Sequence, residues 1–405
     1  MAELIAAVRK VARQSAARPA THINLANMAW VSVAAALALS LLGVYGIDMA
    51  MEADIGRGLA LGPVAARQLV YLGVGLIAAA MIALPHYRLV AQFGWPAAVV
   101  VLGLLVFLLI PFVPAWLVTP RNGTRGWIDL QVFDFQPSEV AKIAYVLVIA
   151  QYLRFRTSHR RFLGLVIPAA ITFVPVALIT LQPDLGTASL FFPTLMAMLV
   201  AAGARLRHMA IIVLVAALAA PASYPILKDH QKERVIGLVR QIRGDKEGAD
   251  GINYQSFTAQ RLVGSGQIAG SSDPHARALV RYNYLPEGHN DMVFAVLTTR
   301  FGLVGALAIL GLYLVWLAGA ALVAATCLEP IGRLIAVGLA AFVASQVVVN
   351  VGMNIGLLPI IGITLPFVSY GGSSLVTVWL MTGLIFNIAM RRPLPPYRAS
   401  FEYDE

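Results

Sequence analysis

Apolar runs of roughly 17 to 25 residues recur along this chain, and each would cross about 30 Å of hydrocarbon as a helix. About ten can be placed, near Asn27–Ile47, Gln68–Leu84, Phe93–Pro111, Ser138–Leu153, Phe162–Leu181, Asp184–Ala202, Met209–Leu227, Asp291–Ala324, Leu334–Ile355 and Leu365–Met390. Composition shows that water is not the main solvent: 59% of the residues are hydrophobic and only 12% charged, against about one-quarter charged in a soluble domain. The expected fold is an all-α polytopic membrane protein with about ten transmembrane helices. Residues 27–390 form a single domain without internal repeats.

The formal charge of +10 would raise the question of nucleic acid in a soluble protein. Here its distribution reads as topology, and no nucleic-acid partner is expected. Lys and Arg crowd the N-terminus (Arg9, Lys10, Arg13, Arg18), the loop with Arg154, Arg156, Arg160 and Arg161, the Arg205–Arg207 loop, Arg333 and the tail (Arg391, Arg392, Arg398). By the positive-inside rule both termini are cytoplasmic, in keeping with an even number of spans in the inner membrane. Residues 1–26 then form a basic cytoplasmic N-terminus without the pattern of a removable signal, and 391–405 a cytoplasmic tail. Cys327, the single cysteine, excludes an intramolecular disulfide.

One loop breaks the rhythm. Between about 228 and 290 no window could span, and this large extracytoplasmic loop carries nine cations, Lys228, Lys232, Arg234, Arg240, Arg243, Lys246, Arg261, Arg277 and Arg281. A basic outer loop suggests an anionic ligand, although such charges also solvate loops or meet lipid headgroups. Its first part, Lys228–Gly244, reads as an amphipathic surface helix.

Ionisable and polar residues at the ends of spans are costly, so each is a functional candidate. All the notable ones fall on the outward side. In QPSEVAK, Glu139 and Lys142 lie three apart on one helix face, either as a structural ion pair or as a grip on a diphosphate. In LQPDLGT, Asp184 stands at a helix N-cap, where its carboxylate would accept backbone N–H bonds; substrate or metal contact is the alternative. In LPEGHND, Glu287, His289 and Asp291 gather where the chain re-enters the membrane. A partly desolvated carboxylate there suits a general base, which makes Asp291 the leading catalytic candidate. Zinc is disfavoured, because His289 has no second histidine at ligand spacing and no cysteine nearby. In TLPFVSYGGSS, Pro366, Gly371 and Gly372 break the backbone at membrane depth, which requires burial in protein or a cavity. The following N–H groups, with the Ser373 and Ser374 hydroxyls, could bind phosphate or sugar oxygens; a packing kink is the alternative.

These residues are also where the chain resembles a known family, the SEDS (shape, elongation, division, sporulation) proteins, closest to the RodA branch. The segments are NGTRGWIDL with FQPSEVAKI, LQPDLGT, QRLVGSGQIAG, LPEGHNDMVFAVL with GLVG, and NVGMNIGLLPIIGITLPFVSYGGSS. The resemblance implies a peptidoglycan glycosyltransferase that polymerises lipid II at the outer membrane face, for elongation and cell shape, together with a class B penicillin-binding transpeptidase. By motif, Asp291 matches the family's essential aspartate, and Arg125, Glu139, Lys142 and Asp184 match polar positions of its outward cavity. Arg125 and Lys142 would stabilise charge on the departing undecaprenyl diphosphate, and membrane lipids and lipid tails would occupy grooves between helices. No cofactor is fixed by the resemblance, though a divalent cation, Mg or Mn, is compatible with it.

The chain departs from the family at Asn290 and Met292, where Thr and Phe are common, and at Thr299–Gly302, where a Glu-Glu-Leu-Gly run is common. The second departure puts Arg300 inside a span, where it needs a partner. Two other classes of function stay open at this point: a lipid II flippase, and a non-catalytic scaffold for a penicillin-binding protein.

Overall fold

The computed structural model describes residues 25–51, 61–114, 116–118, 124–131, 133–222, 232, 236, 237, 239 and 254–391. Helices fall on all ten apolar runs: α1 (Leu25–Met51), α2 (Pro63–Ala83), α4 (Gly94–Leu109) after the short α3 (Tyr87–Gln92), α5 (Pro137–Leu153) and α6 (Val166–Leu181); then α7 (Leu185–Ser189) with α8 (Phe191–Ala201), α9 (Leu206–Ala222), α12 (Val293–Thr326), α13 (Pro330–Asn354) and α14 (Gly372–Arg391). Pro63, Pro137 and Pro330 begin their helices, where the missing N–H costs nothing. Among the described residues six helices, α1, α2, α6 extended back to Phe162, α12, α13 and α14, are long and apolar enough to cross a membrane. The segments α4, α7 with α8, and Leu206–Val215 of α9 are apolar but shorter. α5 is different again: it is buried on nearly every side, Glu139 and Lys142 included, so it is a core helix of the bundle.

Helix α14 packs along α2, α12 along α1, and α13 against both α5 and α8. Aromatic edges lock the centre. Tyr145, Phe191 and Phe342 meet as mutual T-shaped pairs, and Phe367 stands between Trp316 and Trp379. The opposite surface of the helices carries exposed Val70, Ile77, Val99 and Val100, as a lipid-facing surface must.

Two span boundaries are corrected by backbone chemistry. The last span does not begin at Leu365, because Thr364–Gly371 is not helical; Phe367 sits there at φ 68°, a conformation costly for a residue with a Cβ. The span from Asp291 starts at Val293 and breaks at Gly302 (φ 66°, ψ −162°). A Cβ at Gly302 would lie 2.4 Å from the Gly270 nitrogen, so only glycine fits. The all-α fold carries one short hairpin, in which Ile128–Asp129 (β1) and Asp134–Phe135 (β2) pair antiparallel.

The later part of the outer loop is ordered by α10 (Tyr254–Ser265) and α11 (Asp273–Asn283). The expected surface helix Lys228–Gly244 lies outside the described residues save Lys232, Ile236, Gly237 and Val239, which are helical. Between α10 and α11 the chain enters the break in α12: Leu303 and Val304 donate to the carbonyls of Gln267 and Ile268 at 2.9 and 3.1 Å, and Ser271 donates to the Arg300 carbonyl at 3.1 Å. An ionic cluster pins α11 beside this join. Arg277 meets Asp48 of α1 at 2.7 Å and Asp273 at 2.9 Å, and the Tyr45 hydroxyl donates to Asp273. Arg300 finds its partners here too, donating to the Tyr45 hydroxyl at 3.1 Å and to the Ser271 carbonyl at 2.7 Å.

Burial pushes the Asp273 carboxyl up, but hydrogen bonds from Tyr45 and Arg277 and the charges of Arg277 and Arg300 outweigh it and hold the group below its ordinary value. Asp273 therefore stabilises the docked α11 fully above its unfolded pKa of about 3.9, and this contribution is lost as pH falls through the lower folded value. Arg277→Met is expected to lower stability by about 1.5–3 kcal/mol and to speed amide exchange chiefly in α11. Thermal melts and hydrogen exchange check this; unchanged exchange in α11 would show that the cluster does not hold the loop.

Candidate functional site

Several residues singled out in the sequence converge on a cavity of ≈620 Å³ at the end of the bundle where α14 begins. One wall is the end of the outer loop, with Glu287, His289, Asn290 and Asp291; a second is the broken entrance, with Thr364 and Tyr370–Ser374; the third is the β1–β2 hairpin with Trp127, Asp134 and Gln136, closed by Tyr71 of α2. Five expected site residues, Asp291, Glu287, His289, Ser373 and Ser374, thus share one space. Arg125, Glu139, Lys142 and Asp184 do not line it.

Asp291 is only 6% exposed and precedes α12 by two residues. Glu287 holds a left-handed conformation, φ 53°, and its carboxylate accepts from the Asn290 amide. The departure at Asn290 therefore adds a tie to the loop end, while Met292 is fully buried beneath it against α10 and α11. Burial lowers the His289 imidazole pKa, and the charge of Glu287 offsets this only in part. His289 is thus neutral near pH 7 and lies against Tyr370, ring centroids 5.7 Å apart, with Tyr71 6.2 Å beyond. Aromatic faces with polar tips suit sugar rings.

The broken entrance is held open from several sides. Gln68, fully buried in α2, donates to the Ser369 carbonyl at 3.0 Å and accepts from the Gly371 N–H at 3.3 Å, and the Tyr313 hydroxyl donates to the Pro366 carbonyl. Ser373 ties this wall to the hairpin, donating to the Asp134 carbonyl at 2.6 Å and accepting from the Gln136 N–H at 3.0 Å. Its single proton is therefore engaged, whereas the Ser374 and Thr364 hydroxyls pair with each other at 3.2 Å and could turn toward a ligand.

Of the remaining expected residues, Glu139 and Lys142 are buried and Asp184 and Arg125 partly so. Lys142 Nζ lies 2.8 Å from Glu139, with the two side chains 1% and 6% exposed, and also reaches Gln346 of α13 at 3.4 Å. Asp184 caps α7, accepting from the Thr187 N–H at 2.9 Å, within electrostatic reach of Glu139 and Lys142. Two residues on, Gly186 lets this turn approach the wall of the cavity: a Cβ there would lie 2.6 Å from the Ile361 carbonyl oxygen. Arg125 stands two residues before Trp127 on the hairpin, and its Nε is buried with no hydrogen-bond partner among the described residues. A divalent cation finds no ready protein site, for among the described residues no three His, Cys, Asp or Glu side chains are placed to hold one.

Comparison with known proteins identifies the family. A family model described as "Cell cycle protein", FTSW_RODA_SPOVE, matches residues 26–393. The chain belongs to the FtsW, RodA and SpoVE family. Among its relatives, stage V sporulation protein E of Bacillus subtilis (strain 168) is 33% identical over 329 residues, covering 80% of this chain and 86% of the relative. Peptidoglycan glycosyltransferase MrdB of Escherichia coli (strain K12) is 34% identical over 275 residues, 67% of this chain and 73% of the relative. Among solved structures, a chain of a peptidoglycan synthase complex superposes with TM-score 0.74 at 29% identity, covering 89% of this chain and 97% of that one. The rod shape determining protein RodA of Thermus thermophilus does so with TM-score 0.64 at 27% identity, covering 90% and 97%.

Sequence reasoning missed several residues that shape the site in this family member: Tyr71, Trp127, Tyr370, Gln68, Asn350 and Asn354. Asn350 and Asn354 were findable, because an uncharged polar side chain deep in an apolar run also needs a partner. For the buried pair, Lys142→Met leaves Glu139 without its counter-charge and should cost about 3–5 kcal/mol of stability, which Glu139→Gln in the same chain largely restores. Melting temperatures of the single and double variants in detergent test this. A double variant that is stable but catalytically dead would instead give the pair a role in turnover.

Proposed function

We propose that this chain is a peptidoglycan glycosyltransferase that polymerises lipid II at the outer face of the cytoplasmic membrane, with Asp291 as general base. One observation carries the reading: a nearly buried carboxylate lines a polar, aromatic-walled cavity at the membrane entrance. The names of the relatives supply the class of reaction, since several are called peptidoglycan glycosyltransferases.

In the reaction, the 4-hydroxyl of the acceptor GlcNAc attacks the anomeric carbon of the donor MurNAc. The C–O bond to undecaprenyl diphosphate breaks, and the hydroxyl proton passes to Asp291. Base catalysis of this kind contributes typically about 10²–10⁴-fold. Tyr71, Trp127 and Tyr370 offer faces to the sugars, and Glu287 and His289 offer hydrogen bonds at their rim. The departing diphosphate gains negative charge, which the amino end of α14 favours through its first-turn N–H groups and helix dipole. The Ser374 hydroxyl lies at that end, and Arg125 beside the hairpin adds a cation within the same region. No step is routed through a metal, because the described residues do not assemble a site for one. Lipid tails remain between helices in the bilayer, which keeps both sugars at the membrane surface and lowers the entropy cost of bringing them together.

Such a polymerase works beside an enzyme that crosslinks its product, and a class B penicillin-binding transpeptidase is the partner proposed here. The solved chain most useful for this point comes from a complex described as coordinating polymerization with crosslinking. The cell-shape role follows the likeness to the rod shape determining protein.

Purified protein, alone and with its cognate transpeptidase, should convert lipid II to glycan strands, and both Asp291→Asn and Asp291→Ala should lose at least about 10²-fold in rate with normal expression and partner binding. Strands formed by both variants would remove Asp291 as the base. Absence of strands from the unaltered protein under every condition would favour a flippase or a scaffold instead.

A further inference from the structure

Three consecutive backbone carbonyls at the end of the outer loop are each taken by a donor from far along the chain. The Tyr370 N–H donates to the His289 carbonyl at 2.9 Å, and the Ser369 hydroxyl to the Asn290 carbonyl at 2.5 Å. The Asp291 carbonyl accepts twice, from Asn350 Nδ2 at 2.7 Å and from Asn354 Nδ2 at 3.0 Å. Both asparagines are 0% exposed, and four residues apart on α13 they share one face.

Asn354 does something more particular. In a continuing α-helix the Ala295 N–H would donate to the Asp291 carbonyl, four residues earlier. Here the Ala295 N–H is shared between the Met292 carbonyl and Asn354 Oδ1, each at 3.1 Å, while Asn354 Nδ2 donates to the Asp291 carbonyl. One carboxamide is spliced into a single helical hydrogen bond, its oxygen serving one end and its nitrogen the other. Both backbone groups stay satisfied, yet Asp291 is kept off the helix. Asn350 adds the lateral tie: its Nδ2 also donates to the Ile363 carbonyl at 2.7 Å, between cavity-lining Gly362 and Thr364. The end of the outer loop and the broken entrance are therefore joined through one side chain.

We propose that Asn350 and Asn354 are positioning residues that hold the Asp291 peptide outside α12, and so hold its carboxylate at the place where the acceptor proton must be removed. The proposal rests on the reading of Asp291 as the base. Neither asparagine lines the cavity, so neither touches substrate. An aspartate carboxylate is two rotatable bonds from its backbone, and its placement is set by where that backbone lies. Asparagine suits the task because its amide offers two donors and an acceptor on a short stem, and at full burial no water replaces it. Without the splice, the Ala295 N–H and Asp291 carbonyl would satisfy each other directly, α12 would begin one residue earlier with Asp291 as its N-cap, and the carboxylate would swing with it.

The test is steady-state lipid II polymerisation by the full chain with its transpeptidase partner, comparing Asn354→Leu, Asn350→Asp and Asp291→Asn with the unaltered protein. A misplacement of about 1 Å costs on the order of 10²-fold in rate, so Asn354→Leu and Asn350→Asp should lose that much in kcat, with KM within about twofold. The acid limb of the kcat profile should move as the carboxylate changes surroundings, which a merely structural role would not produce. Should Asn354→Leu fail to fold, Ser369→Ala, which removes the tie to Asn290, carries the same expectation in milder form. Folded asparagine variants with unaltered kcat and pH profile, beside an inactive Asp291→Asn, would overturn the positioning role alone. An active Asp291→Asn would overturn the base itself.

Discussion

Inside a bilayer every backbone N–H and C=O must find its partner within the protein, and the rest of this structure follows from how that demand is met where helices stop. Unbroken helices satisfy themselves. The interesting positions are those where the chain leaves the helical path at membrane depth, because each such position needs a side chain or another strand of backbone sent to cover it. Gln68 covers the broken entrance before α14, and Asn350 with Asn354 covers the approach to α12. At the opposite end, Asn387 and Arg391 cover the carbonyls that follow α2. A cavity with irregular walls is affordable in lipid only because these long-range donors exist.

Charge follows the same logic with larger stakes. Glu139 and Lys142 neutralise one another inside a core helix, and Arg300, inside a span, is met by Tyr45, Ser271 and Asp273. Asp291 stands apart in purpose: its carboxylate is brought to the wall of a polar cavity, while its own backbone carbonyl is fastened to two asparagines of α13. Rigid peptide and reactive side chain on one residue are what a base needs if its geometry is to survive the arrival of two large lipid-linked substrates.

What was legible in the sequence was what lies close in sequence. Apolar runs gave the helices, Asp184 with Thr187 gave a cap three residues long, and Glu139 with Lys142 gave an ion pair within one turn. LPEGHND and TLPFVSYGGSS pointed to one cavity because each bears several unusual residues together. The illegible part was partnership over distance. Gln68 meets Gly371, some three hundred positions on, and nothing local distinguishes it from any other polar residue near a helix start. The short β1–β2 hairpin was hidden for a related reason: two residues per strand leave no alternation to read, and its place is fixed by Ser373 from the other end of the chain. Where the outer loop would order was equally hidden, since α10 and α11 are held by contacts with α1 and α12 rather than by their own pattern.

The join at Gly302 has a consequence for how this architecture can vary. Because the stretch from Gln267 to Ser271 lends its backbone to the ladder of α12, that part of the outer loop is a spliced segment of a helix and has little freedom as a loop. Its internal length is fixed by hydrogen-bond register, so an insertion within it would uncouple a helix in the interior of the bundle. Diversification of the outer surface, natural or engineered, is thereby channelled to the earlier part of the loop. A graft taken from a relative would have to carry both halves of the splice to remain in register.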